Sequence, residues 1–404
     1  MITPRLVELL FSAASIQRWN DYPRMVDLVE LDKQAHKFVI AYFLAKIEND
    51  DEINMYHLIE AGIFEFLRRV VVTDMRPDVF RKILQKKKEE LNSWVIEQLR
   101  EDLSPIEEGA FLQRFESFLL DERYYERERF ILKAASYLST RWEFSIIYQT
   151  SQFLNDIEDV KNAVDDEMED YYELIGVRKI ALNKKLSRFI DLSGRLRFQK
   201  RWAQTPRIPE TSVLGHMLTV AMFAYFYSRH VGACEKRLEN NFFCALFHDL
   251  PEALTKDIIT PVKYSVSGLD DIISAFEIEK IQNEILPLIP AQIQDAFSYL
   301  LGIYGENEKD EFLNKIYIDK IEVVDSLAGY NEDYCNAIDG YALKAGDRLA
   351  AFIEATISIY HGVKSNELFK GKEETLKKIQ EKGVVNGVDF YRLAKEIESY
   401  FSVS

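Results

Sequence analysis

Apolar residues recur at i, i+3, i+4 and i+7 along most of this chain, as in Phe38-Val39-Ala41-Tyr42-Phe43-Ala45 and Leu218-Val220-Met222-Phe223-Phe226. That spacing returns side chains to one face of a helix; a half-buried strand needs strict alternation, and alternating β-branched runs are few. Only 16 glycines and 10 prolines are available to interrupt 404 residues. They gather at plausible turns, such as 206–209 and 286–290. The expected fold class is all-α, with at most trivial strand. At 47% apolar and 13% aromatic, a chain of this length can bury the cores of two domains.

A diverged internal repeat points to where those domains divide. Arg18-Trp19-Asn20-Asp21-Tyr22-Pro23-Arg24 matches Arg201-Trp202-Ala203-Gln204-Thr205-Pro206-Arg207 at an offset of 183 residues. Arg76-Pro77 matches Thr260-Pro261 at nearly the same offset, and the stretch beginning at Leu132 falls against that beginning at Asn314. An acidic run over 155–173 reads as a solvated helix face or a boundary, and the repeat favours a boundary nearby. The expected domains are 1–172 and 173–404.

Charge and cysteine usage remove several function classes. The net charge of −16 leaves no basic excess to neutralise phosphates, so no nucleic-acid partner is expected. Cys234, Cys244 and Cys335 are odd in number and lack CxxC spacing, which fits free thiols in a reducing compartment. The start of the chain has only a short apolar run broken by Arg5 and Glu8, and no run approaches a membrane span. Neither signal peptide nor membrane association is expected, and the location read from this is cytoplasmic.

The chemistry concentrates in Phe242–Tyr264, FFCALFHDLPEALTKDIITPVKY, where an apolar run delivers His248 and Asp249 side by side, with Glu252 four residues after the histidine. Imidazole nitrogen beside carboxylate oxygen suits a borderline divalent ion. His216 lies on the polar edge of an apolar helix; alone it reads as a core histidine satisfied by a carbonyl, but the later His-Asp pair changes the odds. Asp319 sits in KIYIDKIEVVDSL, read as an apolar helix in which an unpaired carboxylate would cost several kcal/mol. His216, His248, Asp249 and Asp319 together would form a mixed nitrogen–oxygen site for one divalent ion, Mn, Co, Fe, Ni, Zn or Mg. The first half is not equivalent: His248-Asp249 faces Phe64-Glu65, Glu252 faces Arg68 or Arg69, and Asp319 faces Ser136 at the repeat offset. His36 and His57 have no carboxylate companions in the pattern and read as structural.

These residues resemble a family. His216, His248-Asp249 and Asp319 have the order and spacing of the HD-domain metal-dependent phosphohydrolases. The more specific likeness is to the bacterial 5′-deoxynucleotidase branch, carried over about 185–335 by Arg201-Trp202, the HDxxE segment ending at Glu252, the following Asp257 and the TPVKY of Thr260–Tyr264. The resemblance implies tandem HD-type helical bundles, the N-terminal one degenerate and without a metal site. It implies Glu252 as general acid/base, with Asp257 orienting water or holding the site. Arg201, Trp202, Thr260 and Lys263 would contact a small phosphorylated substrate, a nucleotide, with Arg201-Trp202 helping to discriminate deoxyribose from ribose. The recurrence of Arg-Trp in the half without ligands also fits a pair that merely pins a helix start. One departure stands out: the family often places an acidic residue before the first histidine, where this chain has Leu214-Gly215. The implied activity is a metal-dependent 5′-nucleotidase. Another HD activity (phosphodiesterase or triphosphohydrolase) and a non-catalytic nucleotide- or metal-binding regulator are the alternatives. Because the related single-domain enzymes are expected to be dimers, the repeat would form an intramolecular pseudo-dimer, with higher oligomers left open.

Overall fold

The computed structural model describes residues 2–48, 50–73, 75, 77–256 and 269–403. Of the repeat landmarks, Arg76 and Thr260-Pro261 lie outside the described residues. The chain divides into two compact units at Val177/Arg178. No helix among the described residues is long and apolar enough to cross a membrane.

The first unit is built from α1 (Pro4–Ser12), α2 (Glu30–Glu48), α3 (Met55–Val72), α4 (Pro77–Leu103), α5 (Ala110–Leu120), α6 (Glu126–Ser151) and α7 (Ile157–Asp166). Local chemistry starts two of these helices. Thr3 accepts from the Leu6 N–H at 3.2 Å ahead of Pro4, and the Asn54 side chain accepts from the N–H groups of Tyr56 and His57. α2 is buried almost all round, which is why its apolar pattern lacks a polar stripe; it packs on α6 and α3. Where α3 crosses α2, a Cβ on Gly62 would lie 2.4 Å from the Phe38 ring, so only glycine permits that approach. Phe64 anchors the core, with its ring centroid 5.3–5.5 Å from those of Phe111, Phe115 and Phe118.

The second unit follows α8 (Ile175–Ala181), the helix that carries the division. It contains α9 (Lys185–Gly194), α10 (Val213–His230), α11 (Glu235–Phe247), the short α12 (Glu252–Thr255), α13 (Leu269–Lys280) and α14 (Ala291–Leu300). Short strands follow: β1 (Ile303–Gly305), β2 (Glu308–Lys309), β3 (Asn314–Tyr317), β4 (Ile321–Val323) and β5 (Ile338–Asp339). Then come α15 (Gly340–Tyr360), α16 (Asn366–Lys382), β6 (Val384–Val385), β7 (Val388–Asp389) and α17 (Phe390–Val403). β1–β2 and β6–β7 are antiparallel pairs, and β4-β3-β5 is a small antiparallel sheet. Helices dominate, as the periodicity requires. One local expectation is overturned. The segment around Asp319 is a hairpin, with Lys315 opposite Val323 and Tyr317 opposite Ile321, and Asp319 is exposed at its tip. Alternation of Ile316, Ile318, Ile321 and Val323 across a polar Asp-Lys turn outweighs the helical pattern there.

α15 packs on α10, α16 and α17, and its start is fixed by a close approach: a Cβ on Gly340 would fall 2.1 Å from the Leu313 carbonyl oxygen. Just before it, the fully buried Asp339 carboxylate ties three elements together. It accepts from Arg237 Nε and Nη2 at 2.6 and 2.5 Å on α11, from Tyr227 O–H at 3.0 Å on α10 and from Asn241 Nδ2 at 2.8 Å. Removing one partner of a buried charge pair strands the other, so Asp339→Ala should cost about 3–5 kcal/mol in urea unfolding. Lys320→Ala, which removes a surface pair with Glu322, should leave the midpoint where it is.

Candidate metal centre

Three helices deliver the centre. The loop before α10 is held by the bridge between Lys200 and Ser212 and by Arg201 N–H donating to the Thr211 carbonyl at 3.0 Å. Ser212 then caps α10 by accepting from Gly215 N–H at 2.9 Å, which places His216 on the first turn, fully buried. His248 ends α11, and Asp249 follows it directly. From mid-α15, Asp347 and Glu354, two turns apart on one face, point to the same place.

The hydrogen bonds orient both rings. His248 Nδ1 lies 2.7 Å from the Ala245 carbonyl oxygen, an acceptor only, so this nitrogen carries the proton. Nε2 faces Asp249 Oδ2 at 3.1 Å, and once its own proton is lost it presents a lone pair there, the form in which an imidazole ligates a metal. His216 repeats the arrangement, with Nδ1 3.2 Å from Glu354 Oε1 and Nε2 3.0 Å from Asp347 Oδ1. A lone pair facing a carboxylate oxygen repels it unless a cation or a proton lies between. His216, His248 and Asp249 offer ligand atoms within 4.8 Å of one another, and the imidazole centroids are 5.7 Å apart. Each ring also shows the outer contact that orients a metal-binding histidine, its second nitrogen committed to a carbonyl or carboxylate. The donor set of two imidazoles and two carboxylates thus fits a divalent transition ion.

Titration behaviour follows the same logic. Burial disfavours a charged His248, but Asp249 outweighs it, with Asp347 adding, and lifts the imidazole from its ordinary 6.5 to about 9. Burial alone would raise Asp249; His248 and Arg201 hold it well below the usual carboxylate range. Asp347 is lowered against its burial by His216 and His248. The fully buried Glu354 is likewise held down, against burial, by Arg207, Arg201 and His216. The site thus draws positive charge to itself.

Residues 193–376 match the family described as HD domain. The 5′-deoxynucleotidase YfbR of Escherichia coli O1:K1 / APEC is 30% identical over 179 residues, covering 42% of this chain and 84% of that protein. The chain belongs to the HD-domain family. The YfbR proteins of Escherichia coli strain UTI89 / UPEC, at 30% identity, and strain ATCC 8739, at 29%, are similar over the same length. A crystal structure of a HD-domain phosphohydrolase from Listeria innocua is 22% identical, covers 54% of this chain and 85% of that one, and superposes with a TM-score of 0.37.

Within this HD domain the structure brings His216, His248 and Asp249 together and puts Asp347 beside His216. Asp319, read as the fourth ligand, is corrected: it sits on the exposed β3–β4 tip. Asp347 and Glu354 went unread, although two acids seven apart inside the apolar run of α15 are the available signal. Glu252 is buried at the start of α12; its N–H donates to the Asp249 carbonyl at 3.0 Å, and its own carbonyl accepts from Gln199 Nε2 at 2.9 Å. Arg201 reaches Asp249 Oδ2 at 3.5 Å and Glu354 Oε2 at 3.6 Å. Trp202 donates Nε1–H to Glu354 at 3.0 Å, and its ring lies against Gly371, where a Cβ would come within 2.7 Å. The cation over the indole is Arg207 at 6.0 Å, so the tryptophan packs as a structural wall of the site. Lys344, unread in the sequence, lies 4.3 Å over Phe312, whose ring neighbours His248. Asp257, Thr260 and Lys263 lie outside the described residues.

The first unit contains contacts of the same design. Gln17 bridges Val29, Arg18 Nε and Trp19 Nε1 both donate to the buried Glu143 at 2.9 and 3.0 Å, and Trp19, like Trp202, has a left-handed backbone with φ near 55° (54° and 57°). Ser136 and Glu143 are spaced on α6 as Asp347 and Glu354 are on α15. In place of an imidazole facing a carboxylate, Lys33 Nζ donates to Ser136 Oγ at 2.5 Å. His36 is fully buried, edge-on to Trp142 at 5.3 Å, and His57 stacks on Tyr125 at 4.2 Å.

Two measurements follow. His248→Ala and Asp347→Asn should each strip the divalent ion in elemental analysis, Glu354→Gln should weaken it about 10–100-fold, and Asp319→Asn should keep it. Burial, only partly offset by Glu30, pulls Lys33 from 10.5 down to about 7. The unfolded chain therefore binds more protons between these values, and Lys33 contributes stability that is present above 10.5 and lost as pH falls towards 7. In Lys33→Met, the slope of unfolding free energy against pH should flatten over that window.

Proposed function

We propose that the second unit is a metal-dependent phosphohydrolase that removes the 5′-phosphate from (deoxy)nucleoside monophosphates. The observation that carries this reading is the pair of imidazoles whose Nδ1 protons are committed and whose Nε2 atoms face Asp249 and Asp347. The similarity to 5′-deoxynucleotidases supplies the substrate class. His216, His248, Asp249 and Asp347 would hold the ion. A divalent ion in such a site supplies Lewis-acid polarisation of a phosphoryl oxygen and acidifies water.

The remaining chemistry belongs to the chain's own groups. Glu252 is fixed through its backbone to Asp249 on one side and to Gln199, two residues before Arg201, on the other. Its carboxylate accepts the proton that water loses as it attacks phosphorus, and returns it to the 5′-oxygen as the P–O bond breaks. Arg201 at the Asp249 edge and Lys344 one turn before Asp347 provide the positive charge that a phosphate dianion requires. The Arg201-Trp202 contacts to Glu354 hold this edge rigid, so the pair's influence on sugar choice acts through placement of the loop that carries it.

The first unit is read as a degenerate HD-like domain that retains the Arg-Trp-Glu brace and has exchanged its ligands for Lys33 and Ser136. That exchange supports a single metal per chain.

Phosphate release from a panel of nucleoside monophosphates by the metal-loaded protein tests the activity. Deoxyribonucleotides should be turned over in preference to ribonucleotides. Glu252→Gln should retain its metal while losing about 10²–10⁴-fold in kcat. Full activity in that variant would remove Glu252 from the mechanism, and release only from diesters or triphosphates would reassign the substrate class.

A further inference from the structure

The first unit holds a cavity of about 1100 Å³ built from residues between Glu52 and Lys133. The chain as a whole is strongly acidic, yet six arginines and lysines line this cavity against four glutamates. Several of these charges are already spent. Lys88 pairs with Glu122, Arg127 with Asp50 at 2.9 Å, and the Arg129 guanidinium donates to main-chain carbonyls, including that of Tyr124 at 2.7 Å. Arg68, Arg123 and Lys133 have no carboxylate at ion-pair distance among the described residues.

Arg68 is the informative one. Its Nε and Nη2 are buried without a hydrogen-bond partner, although guanidinium donors are rarely left so. The Phe80 ring lies 5.2 Å from its guanidinium carbon and fixes the plane of the fork. Glu65, the nearest acid to influence it, is engaged with Lys37 at 2.9 Å. Nε and Nη2 lie within the cavity wall and not on its surface, so what the guanidinium presents to the cavity is an uncompensated positive charge, which an anion such as phosphate neutralises. The cavity also has a flat apolar side. His57 stacks on Tyr125 with an interplanar angle of 22°, and Tyr125 is anchored by its O–H to Glu60 at 2.9 Å. Phe130 lines the same space. Rigid aromatic faces beside unpaired cations suit a planar ring joined to a phosphate.

We propose that this cavity in the first unit is a metal-independent binding site for a phosphorylated ligand with a planar ring, of the class of a nucleoside monophosphate. Arg68, with Arg123 and Lys133, takes the phosphate, and the His57–Tyr125 face takes the ring. The proposal stands on the first unit alone and does not depend on what the second unit hydrolyses.

The test uses the full chain carrying His248→Ala, so that the metal centre contributes least, titrated calorimetrically with adenosine 5′-monophosphate, inorganic phosphate and adenosine in the presence of a chelator. Saturable binding of the monophosphate is expected, tighter than that of either fragment and weakened by added salt. Adding Arg68→Met should weaken it at least about tenfold, the loss of a charged contact. Lys133→Glu, a change at an exposed position that leaves the core intact, should do the same. In the chain with His248 restored, neither substitution should alter metal content, which reports that the fold is kept. Binding that is unchanged in both variants would assign it to the second unit and overturn the proposal, as would no saturation at millimolar ligand. Phosphate binding as tightly as the monophosphate would overturn the role of the aromatic face.

Discussion

Glu354 is where the second unit concentrates its electrostatic risk. Its side chain has no exposed surface, and burying an ionised carboxylate costs several kcal/mol unless charges and donors surround it. Here they do: Arg201 and Arg207 approach its oxygens at 3.6 Å, Trp202 and Thr211 donate at 3.0 Å, and His216 Nδ1 stands at 3.2 Å. Each of these groups belongs to the loop before α10 or to its first turn. One carboxylate on α15 thereby orients a loop, engages Nδ1 of a histidine and turns Nε2 of that histidine towards Asp347. Removing the acid would strand the buried Arg207 as well as free the ring.

The same economy of charge explains what the two units share and where they differ. In both, an arginine and a tryptophan on a tight left-handed turn converge on a buried glutamate. What the glutamate supports is different. Around His216 and His248, imidazole nitrogens face buried carboxylates, an arrangement that favours positive charge. In the first unit the compensating cation is covalently attached: Arg18 pairs with Glu30 and Glu143, and the Lys33 amine fills a buried position beside Ser136. Acids neutralised by the chain's own cations need no external ion. Glu30 shows how far this goes, since Arg18 and Arg69 both pair with it, at 2.9 and 3.2 Å.

Much of this was legible in the sequence because it is local. The helical class follows from periodicity. The Arg-Trp recurrence marks a turn whose geometry both units do adopt, and His248-Asp249 stands at the end of an apolar run because α11 ends there. The fourth proposed ligand was not legible, for a long-range reason. Taking a constant offset between halves set Ser136 against Asp319, whereas the partner that plays its part in the second unit, seven residues before the bracing glutamate, is Asp347. The strands β1–β5 intervene between α11 and α15 and displace the later helix along the sequence. Spacing cannot reveal an insertion of that kind when its own strands, such as β3 and β4, are short enough to pass for a helical turn. Gly340, which lets α15 start against the Leu313 carbonyl, is the residue that re-establishes the helix after the insertion.

A centre assembled this way couples the ion to tertiary structure more than to any one element. His248 and Asp249 are adjacent, so a single chain segment presents half the ligands at little conformational cost. His216 and Asp347 come from helices whose separation in sequence exceeds a hundred residues, and they meet only because Asp339 has locked α10, α11 and the start of α15 through Tyr227, Arg237 and Asn241. The binding energy of an ion held there would therefore help to order the α10–α15 contact, on which Arg201 and Lys344 both border. In the first unit that ordering is provided by a salt-bridge network internal to the chain. The two units then differ in the source of positive charge beside the bracing glutamate: in the first, between α2 and α6, it is part of the polypeptide, and between α10 and α15 the proposed ion would supply it.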